Sequence, residues 1–183
     1  MFAVTVSFPS AMDSFVTVGL DYASLSVQNI NTTLYFVGAH SSFYSFVNEF
    51  SNDGFLARVS FQGLVSITTS SEGGSFTFDV EDSGVVMMNA LVGYARRIEL
   101  GRLFDVAIGT GPTFLLFGSE DGKATAIGLG IHAEFQYLLS PKMLLNAGLG
   151  INFGAYDLGN KKLFEFEDSP MLIRPYVAVG FRF

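Results

Sequence analysis

Apolar and polar residues alternate along most of this chain with a period of two. The clearest run covers residues 124–139, where Ile127, Leu129 and Ile131 alternate with glycine and polar residues. Successive side chains of a strand point to opposite sides of a sheet, so this pattern predicts β-strands with two unlike faces. Eight segments of this kind occur, at about residues 15–27, 32–47, 55–67, 85–94, 103–117, 124–139, 143–155 and 173–183. The predicted fold class is all-β.

Turn residues separate the eight segments and indicate antiparallel hairpins. Ser51–Asn52–Asp53–Gly54 and Ser140–Pro141–Lys142 are tight-turn sequences, and residues 96–102 form a predicted basic turn. These three joins lie at one predicted end of the sheet. The joins at the other end include the two longest, residues 68–84 and 156–170, and carry most of the acidic residues. No segment with helical periodicity competes with this up-and-down arrangement.

Composition decides which environment this sheet faces. Hydrophobic residues make up 49% of the 183, and the chain has 20 Phe and seven Tyr without any Trp. No run approaches the roughly 18 uninterrupted apolar residues of a spanning helix. High hydrophobicity dispersed at period two fits a closed barrel in lipid, in which every backbone group is paired within the sheet.

The polar face of the predicted strands carries few charges and many small residues. A water-facing sheet would carry more Lys and Glu, so we assign the apolar face outward to lipid and the polar face inward to the lumen. Charges in a narrow lumen must pair, because burying an isolated charge is costly. The predicted polar network of the lumen comprises Asp21, Arg58, Gln62, Asn89, Asp105, His132, Glu134 and Arg174.

The last predicted strand, residues 173–183, ends on an apolar row formed by Val177, Val179, Phe181 and Phe183. It resembles the closing strand of bacterial outer-membrane β-barrels, whose terminal aromatic and alternating apolar residues are read by the barrel-assembly machinery. The chain from about residue 15 is similar to the small OmpA/OmpX-type and OmpW-like barrels. This resemblance implies an eight-stranded antiparallel up-and-down transmembrane β-barrel in the bacterial outer membrane, with those four residues as the assembly signal.

The chain divides into an N-terminal segment, residues 1–14, and one barrel domain, residues 15–183. The short apolar stretch from Phe2 to Phe8 lacks a basic flank and is interpreted as the tail of a secretory signal that starts upstream. The alternative is a genuine N-terminal extension or an extra edge strand.

Few chemical functions fit the remaining residues. A net charge of −7 argues against nucleic acid, and zero cysteine excludes thiolate sites. Lipid A deacylases of this barrel class use Ser, His and an acid, and His40 with Ser42, or His132 with Glu134, are the nearest candidates. Neither pair makes a complete catalytic set, and no metal-ligand spacing occurs. We therefore predict no enzyme activity, no catalytic or metal-binding residues and no cofactor.

The function predicted is a structural or surface-interaction barrel with a largely filled polar lumen and acidic external loops. The main alternative is a narrow channel, or a lateral-diffusion transporter for small or hydrophobic solutes. A lipid A-modifying enzyme and a soluble lipocalin-like binder are weaker alternatives. The predicted partners are outer-membrane lipid, the assembly machinery and an external protein ligand at loops 68–84 and 156–170, with the barrel a monomer. Residues 75–80 and 163–167 alternate and are candidate exposed hairpins.

Overall fold

The structure is a computed structural model that describes residues 11–27, 30–46, 52–71, 74–79, 84–101, 103–119, 122–157 and 172–183. These residues form nine strands: β1 (Ala11–Val27), β2 (Ile30–Phe46), β3 (Asp53–Ser71), β4 (Gly74–Asp79), β5 (Val86–Glu99), β6 (Phe104–Ser119), β7 (Gly122–Ser140), β8 (Met143–Asp157) and β9 (Leu172–Arg182). Within these ranges, no helix has the length and apolar character needed to cross a membrane.

The sheet closes on itself as a ring of eight antiparallel strands. The strand order is β2-β1-β9-β8-β7-β6-β5-β3, and the pairing of β2 with β3 completes the ring. The seam between the first and last strands aligns Val18 with Val179 and Leu20 with Val177. The predicted all-β, eight-stranded antiparallel barrel is confirmed. Closure leaves no open edge around the ring, which satisfies the backbone without water.

The ninth strand, β4, extends the sheet outside the ring. β3 continues to Ser71, beyond Gly63, the last of its residues paired with β5, and β4 pairs with the free length of β3. Side-chain hydroxyls join the two strands, with 3.0 Å between the oxygens of Thr68 and Thr77. The alternation at residues 75–80 predicted such a hairpin, and its counterpart at residues 163–167 lies outside the described residues.

Two predicted boundaries need correction. β5 continues to Glu99 instead of turning at Arg96, because its backbone keeps pairing with β6 as far as Glu99 and Asp105. The charged end of β5 is accommodated because Arg97 lies at the rim, where its guanidinium meets Asp13. β1 begins at Ala11, four residues before the predicted start of the first strand at about residue 15. Residues 1–10, the rest of the segment interpreted as a signal remnant, lie outside the described residues.

The apolar face of the barrel points outward, as the face assignment predicted. Leu20 is 67% exposed and Leu129 is 64% exposed, whereas Asp21 on the opposite face is 5% exposed. Aromatic rings pair on this outer surface near both ends, Phe104 with Tyr137 at 4.6 Å and Tyr22 with Tyr35 at 6.2 Å. An apolar band between aromatic rings matches the lipid-facing surface of outer-membrane barrels.

The interior has three layers. We call the end with Ala11 and Phe183 the terminal end and the opposite end the loop end. At the terminal end a first apolar cluster fills the lumen, formed by Phe15, Tyr44, Phe46, Leu56, Leu91, Ala95, Ala107 and Leu144. Near the loop end lies a second apolar cluster of Ala23, Leu34, Phe36, Leu64, Met87 and Leu172. The polar layer lies between them.

This layering corrects the expectation that small and polar residues dominate the whole inward face. The large side chains share the inward parity of the polar ones, as Tyr44 and Ser42 do on β2. They lie on both sides of the polar layer, because the interior of an eight-stranded barrel is just wide enough for side chains to fill.

Candidate functional site

The polar layer is organised around the carboxylate of Glu134, which β7 carries into the middle of the lumen. The residue is 1% exposed. Its Oε1 atom accepts a hydrogen bond from the hydroxyl of Tyr44 on β2. The same oxygen accepts a second from Nε2 of Gln136, at 2.9 Å. Two donors on one oxygen suit an ionised carboxylate, which accepts stronger hydrogen bonds than a neutral carboxyl group.

The other oxygen of Glu134 is even more crowded. Oε2 accepts hydrogen bonds from the hydroxyl of Tyr176 at 2.7 Å and from Nδ2 of Asn146 at 3.1 Å. Nε2 of His132 lies 3.1 Å from the same oxygen, which places the proton of that imidazole on Nε2. A β-carbon at residue 148 would overlap the Tyr176 ring, so Gly148 makes the space that this phenol occupies.

Arg58 of β3 supplies the nearest positive charge. Its Nη1 lies 3.8 Å from Oε2 of Glu134 and donates to Oγ of Ser42 at 3.2 Å. Its guanidinium carbon lies 4.5 Å from the centre of the Tyr176 ring, a cation–π contact. Through Arg58, the hydrogen bonds of β2 and β3 join those of β7, β8 and β9.

His40 links Arg58 to a second carboxylate. Nη2 of Arg58 lies 3.0 Å from Nδ1 of His40. A guanidinium can only donate, so Nδ1 accepts and the imidazole proton lies on Nε2. Nε2 faces Oδ2 of Asp21 at 2.9 Å, although the two atoms are not aligned as a hydrogen bond. The His40 ring also stacks on Tyr176 with 4.9 Å between ring centres.

The structure does not bring all eight predicted network residues together. Asp21, Arg58, His132 and Glu134 belong to one network, joined through His40 and Tyr176. Arg174 and Asn89 form a neighbouring pair, with 2.7 Å between Nη2 and Oδ1. Gln62 is buried without a side-chain hydrogen bond among the described residues. Asp105 is only half-buried and lies near the terminal rim, at the start of β6.

Sequence reasoning missed the neutral members of the network, above all Tyr44, Tyr176 and Asn146. The predicted network contains charged and amide side chains but no tyrosine, and it leaves out the amide of Asn146. The alternation along the strands could have identified them as inward-facing. Tyr176 shares the inward face of β9 with Arg174, and Asn146 lies opposite Gln136 on the neighbouring strand.

A second ionic group closes the terminal rim. Asp13 of β1 accepts from Nε of Arg182 at 2.7 Å and from Nη1 of Arg97 at 3.3 Å. The Arg97 guanidinium also covers the Phe46 ring, 4.4 Å from its centre, and lies 3.6 Å from Glu99. This group, which we call the rim cluster, ties β1, β5 and β9 together.

The geometry opposes the catalytic candidates considered from sequence. His40 lies between an acid and a serine in the manner of a triad, but its Nδ1 faces Arg58 instead of Ser42. Asp21, His40 and Ser42 are all 5% exposed or less, on the inward face of the barrel. Among the described residues, no three His, Asp or Glu side chains converge to hold a metal ion. The arrangement pairs charges and fills space.

Comparison with solved structures shows the class of fold. Neisserial surface protein A (NspA) matches with a TM-score of 0.56 and 13% identity over 92% of this chain and 95% of that one. The outer membrane protein OprG from Pseudomonas aeruginosa matches with a TM-score of 0.50 and 13% identity over 96% and 97%. A major outer membrane protein from Thermus thermophilus matches with a TM-score of 0.50 and 13% identity over 93% and 99%.

At this identity the likeness shows the fold alone. No protein-family model matches the sequence, and no curated protein matches it. The chain therefore has the fold of small bacterial outer-membrane β-barrels, as predicted. The predicted location in the bacterial outer membrane agrees with these neighbours and with the apolar outer surface of the barrel.

Proposed function

We propose that this protein is a monomeric outer-membrane barrel with a closed lumen, whose role is structural or lies in surface interaction through its loops, and that it has no catalytic activity. The observation that supports the proposal is the burial of side chains at all three levels of the lumen. Leu56 and Leu144 of the first apolar cluster are 0% exposed, Glu134 is 1% exposed and Phe36 of the second cluster is 1% exposed. A solute moving along the axis would have to displace all three layers.

Ion conductance tests the closed lumen. The refolded protein is inserted into a planar bilayer, with an open porin in the same chamber as a positive control. We expect a quiet baseline at potentials where the porin gives steps. Steady single-channel steps that scale with protein concentration would favour the channel alternative.

The surface-interaction role rests on the loop end. β3 and β4 carry the sheet beyond the ring, and Phe76 of β4 is 67% exposed. Loops 68–84 and 156–170 contribute eight of the 17 acidic residues of the chain. An extended hairpin with an acidic surround favours a protein ligand with basic residues.

The test compares cells that express the wild type with cells whose barrel carries a Gly-Ser linker in place of residues 74–79. Binding of a panel of purified basic host-surface proteins is measured at low and high salt. We expect salt-sensitive binding that the linker variant loses while its heat-modifiable folded band persists. Equal binding by both cell types would contradict the role of β4.

One observation favours the second candidate, lateral passage of an apolar solute. The β5–β6 ladder lacks its bridges at Val92–Pro112 and Gly93–Gly111, between the paired residues Leu91–Thr113 and Tyr94–Thr110. Pro112 has no N–H to donate, which accounts for the break. The strands nevertheless stay close, since a β-carbon at Gly111 would overlap the Val92 carbonyl. Uptake of a small apolar dye by vesicles, faster for wild type than for Pro112→Ala, would favour this candidate.

The weaker alternatives have less support. A soluble lipocalin-like binder would present its polar face to water, whereas Leu20, Phe61 and Leu129 are 60% exposed or more on the outside. A lipid A-modifying enzyme needs its serine and histidine at the outer surface, and both described histidines are buried in the lumen.

A further inference from the structure

A small cavity lies in the polar layer, beside the Glu134 network. Its lining residues are Asp21, Arg58, Ser60, His132, Gly150, Arg174 and Tyr176. The volume of the cavity is about 10 Å³. That is about the volume one water molecule requires. The first and second apolar clusters lie on either side of the layer along the barrel axis.

Two of the side chains that line the cavity have buried polar atoms without a hydrogen bond to the described protein. These atoms are Nε of Arg174 and Oδ2 of Asp21, whose neighbour Nε2 of His40 lies 2.9 Å away but is not aligned as a hydrogen bond. The residues are 5% and 8% exposed, respectively. Oγ of Ser60 is a third polar atom there, and its hydrogen bond to the Asn89 carbonyl is long at 3.5 Å. A buried donor or acceptor left unpaired costs about 1–3 kcal/mol.

We propose that this cavity is a binding site for a single water molecule, which donates to Asp21 Oδ2 and accepts from Arg174 Nε. Ser60 offers the third partner. Water is the one small ligand that donates and accepts at once, and a buried water typically makes about three hydrogen bonds. The pair of Arg174 and Asn89 lies beside the network around Glu134. The water would connect the two groups by hydrogen bonds.

Charge and size argue against an ion in the same place. Arg58, Arg174 and Asp21 all line the cavity, and Glu134 lies 3.8 Å from Arg58. The two cations and two anions balance, so neither a halide nor a metal ion would be compensated. A halide is also larger than the water that this volume accommodates.

Gly150 provides the space for the water. A β-carbon at this position would lie 3.3 Å from Nη2 of Arg174, on the wall of the cavity. The methyl group of Gly150→Ala therefore occupies space that the water needs, and it cannot form a hydrogen bond in place of the water. Gly150→Ser places a hydroxyl there, which can replace the hydrogen bonds of the water. Gly63→Ala is the matched control, because its nearest neighbour, the Val37 carbonyl, is 3.9 Å away.

The experiment has a structural arm and a stability arm, both on the full chain in detergent. A crystal structure at a resolution that shows ordered solvent, grown with bromide, should give one water-like peak within 3.2 Å of Asp21 and Arg174, and no anomalous signal there. Empty density, or an anomalous bromide peak, would overturn the proposal.

In the stability arm the melting temperature should fall for Gly150→Ala, recover at least in part for Gly150→Ser and stay unchanged or rise for Gly63→Ala. A purely steric role predicts the reverse order for the first two, because serine is larger than alanine. Serine worse than alanine would therefore count against a water. These melting temperatures do not depend on the proposed surface role, because neither Gly150 nor Gly63 belongs to β4 or the loops.

Discussion

The hydroxyl of Tyr176 lies 2.7 Å from Oε2 of Glu134, inside the lumen, and joins two strands that are not neighbours. Tyr176 belongs to β9 and Glu134 to β7, with β8 between them in the ring. Contacts of this kind brace the barrel from inside, in addition to the ladder of backbone hydrogen bonds around it.

Removing that hydroxyl should weaken the barrel. Tyr176→Phe leaves the ring over Arg58 but withdraws a donor from a buried carboxylate, which should cost roughly 1.5–3 kcal/mol of unfolding free energy. Tyr22→Phe, at a residue that is 39% exposed on the lipid face, is the control. Urea-dependent loss of the compact gel band measures both. Equal midpoints for the two variants would mean that the Glu134 network adds no stability.

The outward face can be tested with arginine at two depths. Leu129→Arg puts a charge near the middle of the apolar band and should cost roughly 2–4 kcal/mol. Leu103→Arg places the same side chain beside β6 at the terminal end, where it reaches water, and should cost about 0–1 kcal/mol. Refolding yield into lipid vesicles, followed by the gel shift, gives the comparison. Equal tolerance of arginine at both sites would show that Leu129 does not meet lipid.

The β5–β6 junction should depend on a residue without a side chain. Gly111→Ala puts a methyl group against the Val92 carbonyl at the position where Pro112 already removes a hydrogen bond. We expect a loss of roughly 1–3 kcal/mol from the forced strand separation. Gly63→Ala should leave stability unchanged within about 0.5 kcal/mol. A Gly111→Ala barrel as stable as the wild type would mean that the strands separate there at no cost.

Phe183 should matter more for assembly than for the stability of the finished barrel. Its side chain is 80% exposed, while its backbone N–H donates to the Ser14 carbonyl at 2.8 Å. Phe183→Ser keeps that hydrogen bond and removes only a side chain that contributes little by burial. We expect far less folded protein in cells but an unchanged urea midpoint after refolding in detergent.

Comparing Phe183→Ser folded in cells with Phe183→Ser refolded in detergent separates a role in assembly from a role in packing. A parallel fall in cells and after refolding would identify Phe183 as a packing residue. Normal levels in cells would contradict the assembly signal at Val177, Val179, Phe181 and Phe183.

The sequence predicts the barrel well because apolar and polar residues alternate in every strand. The apolar residues of one face and the polar residues of the other both mark this alternation. Parity puts Leu129 and Glu134 on opposite faces, and the scarcity of charge on the polar face then assigns Leu129 outward and Glu134 inward. The pattern says nothing about depth, so it could not separate the two apolar clusters from the polar layer between them. Phe36, for example, has the parity of His40 and lies in a different layer.

The contacts of the candidate site were even less accessible to sequence reasoning. Tyr44 and Glu134 are 90 positions apart, and their meeting depends on the diameter of the ring and the stagger of its strands. The end of β5 was misplaced for a similar reason. Arg97 reads as a turn residue until Asp13, from the other end of the chain, is found beside it.

The rim cluster also has a consequence for the order of folding. Asp13 and Arg182 stand 169 positions apart, whereas hairpins such as β7–β8 close over a two-residue turn. Loop-closure entropy rises with the logarithm of the separation, so we expect the hairpins to form early and the seam of β1 with β9 to form last. Until then the nascent sheet has two open edges, each able to pair with a foreign strand. The bonds from Asp13 to Arg97 and Arg182 exist only in the completed ring, so they help to keep its last seam closed and protect the molecule from aggregation through those edges.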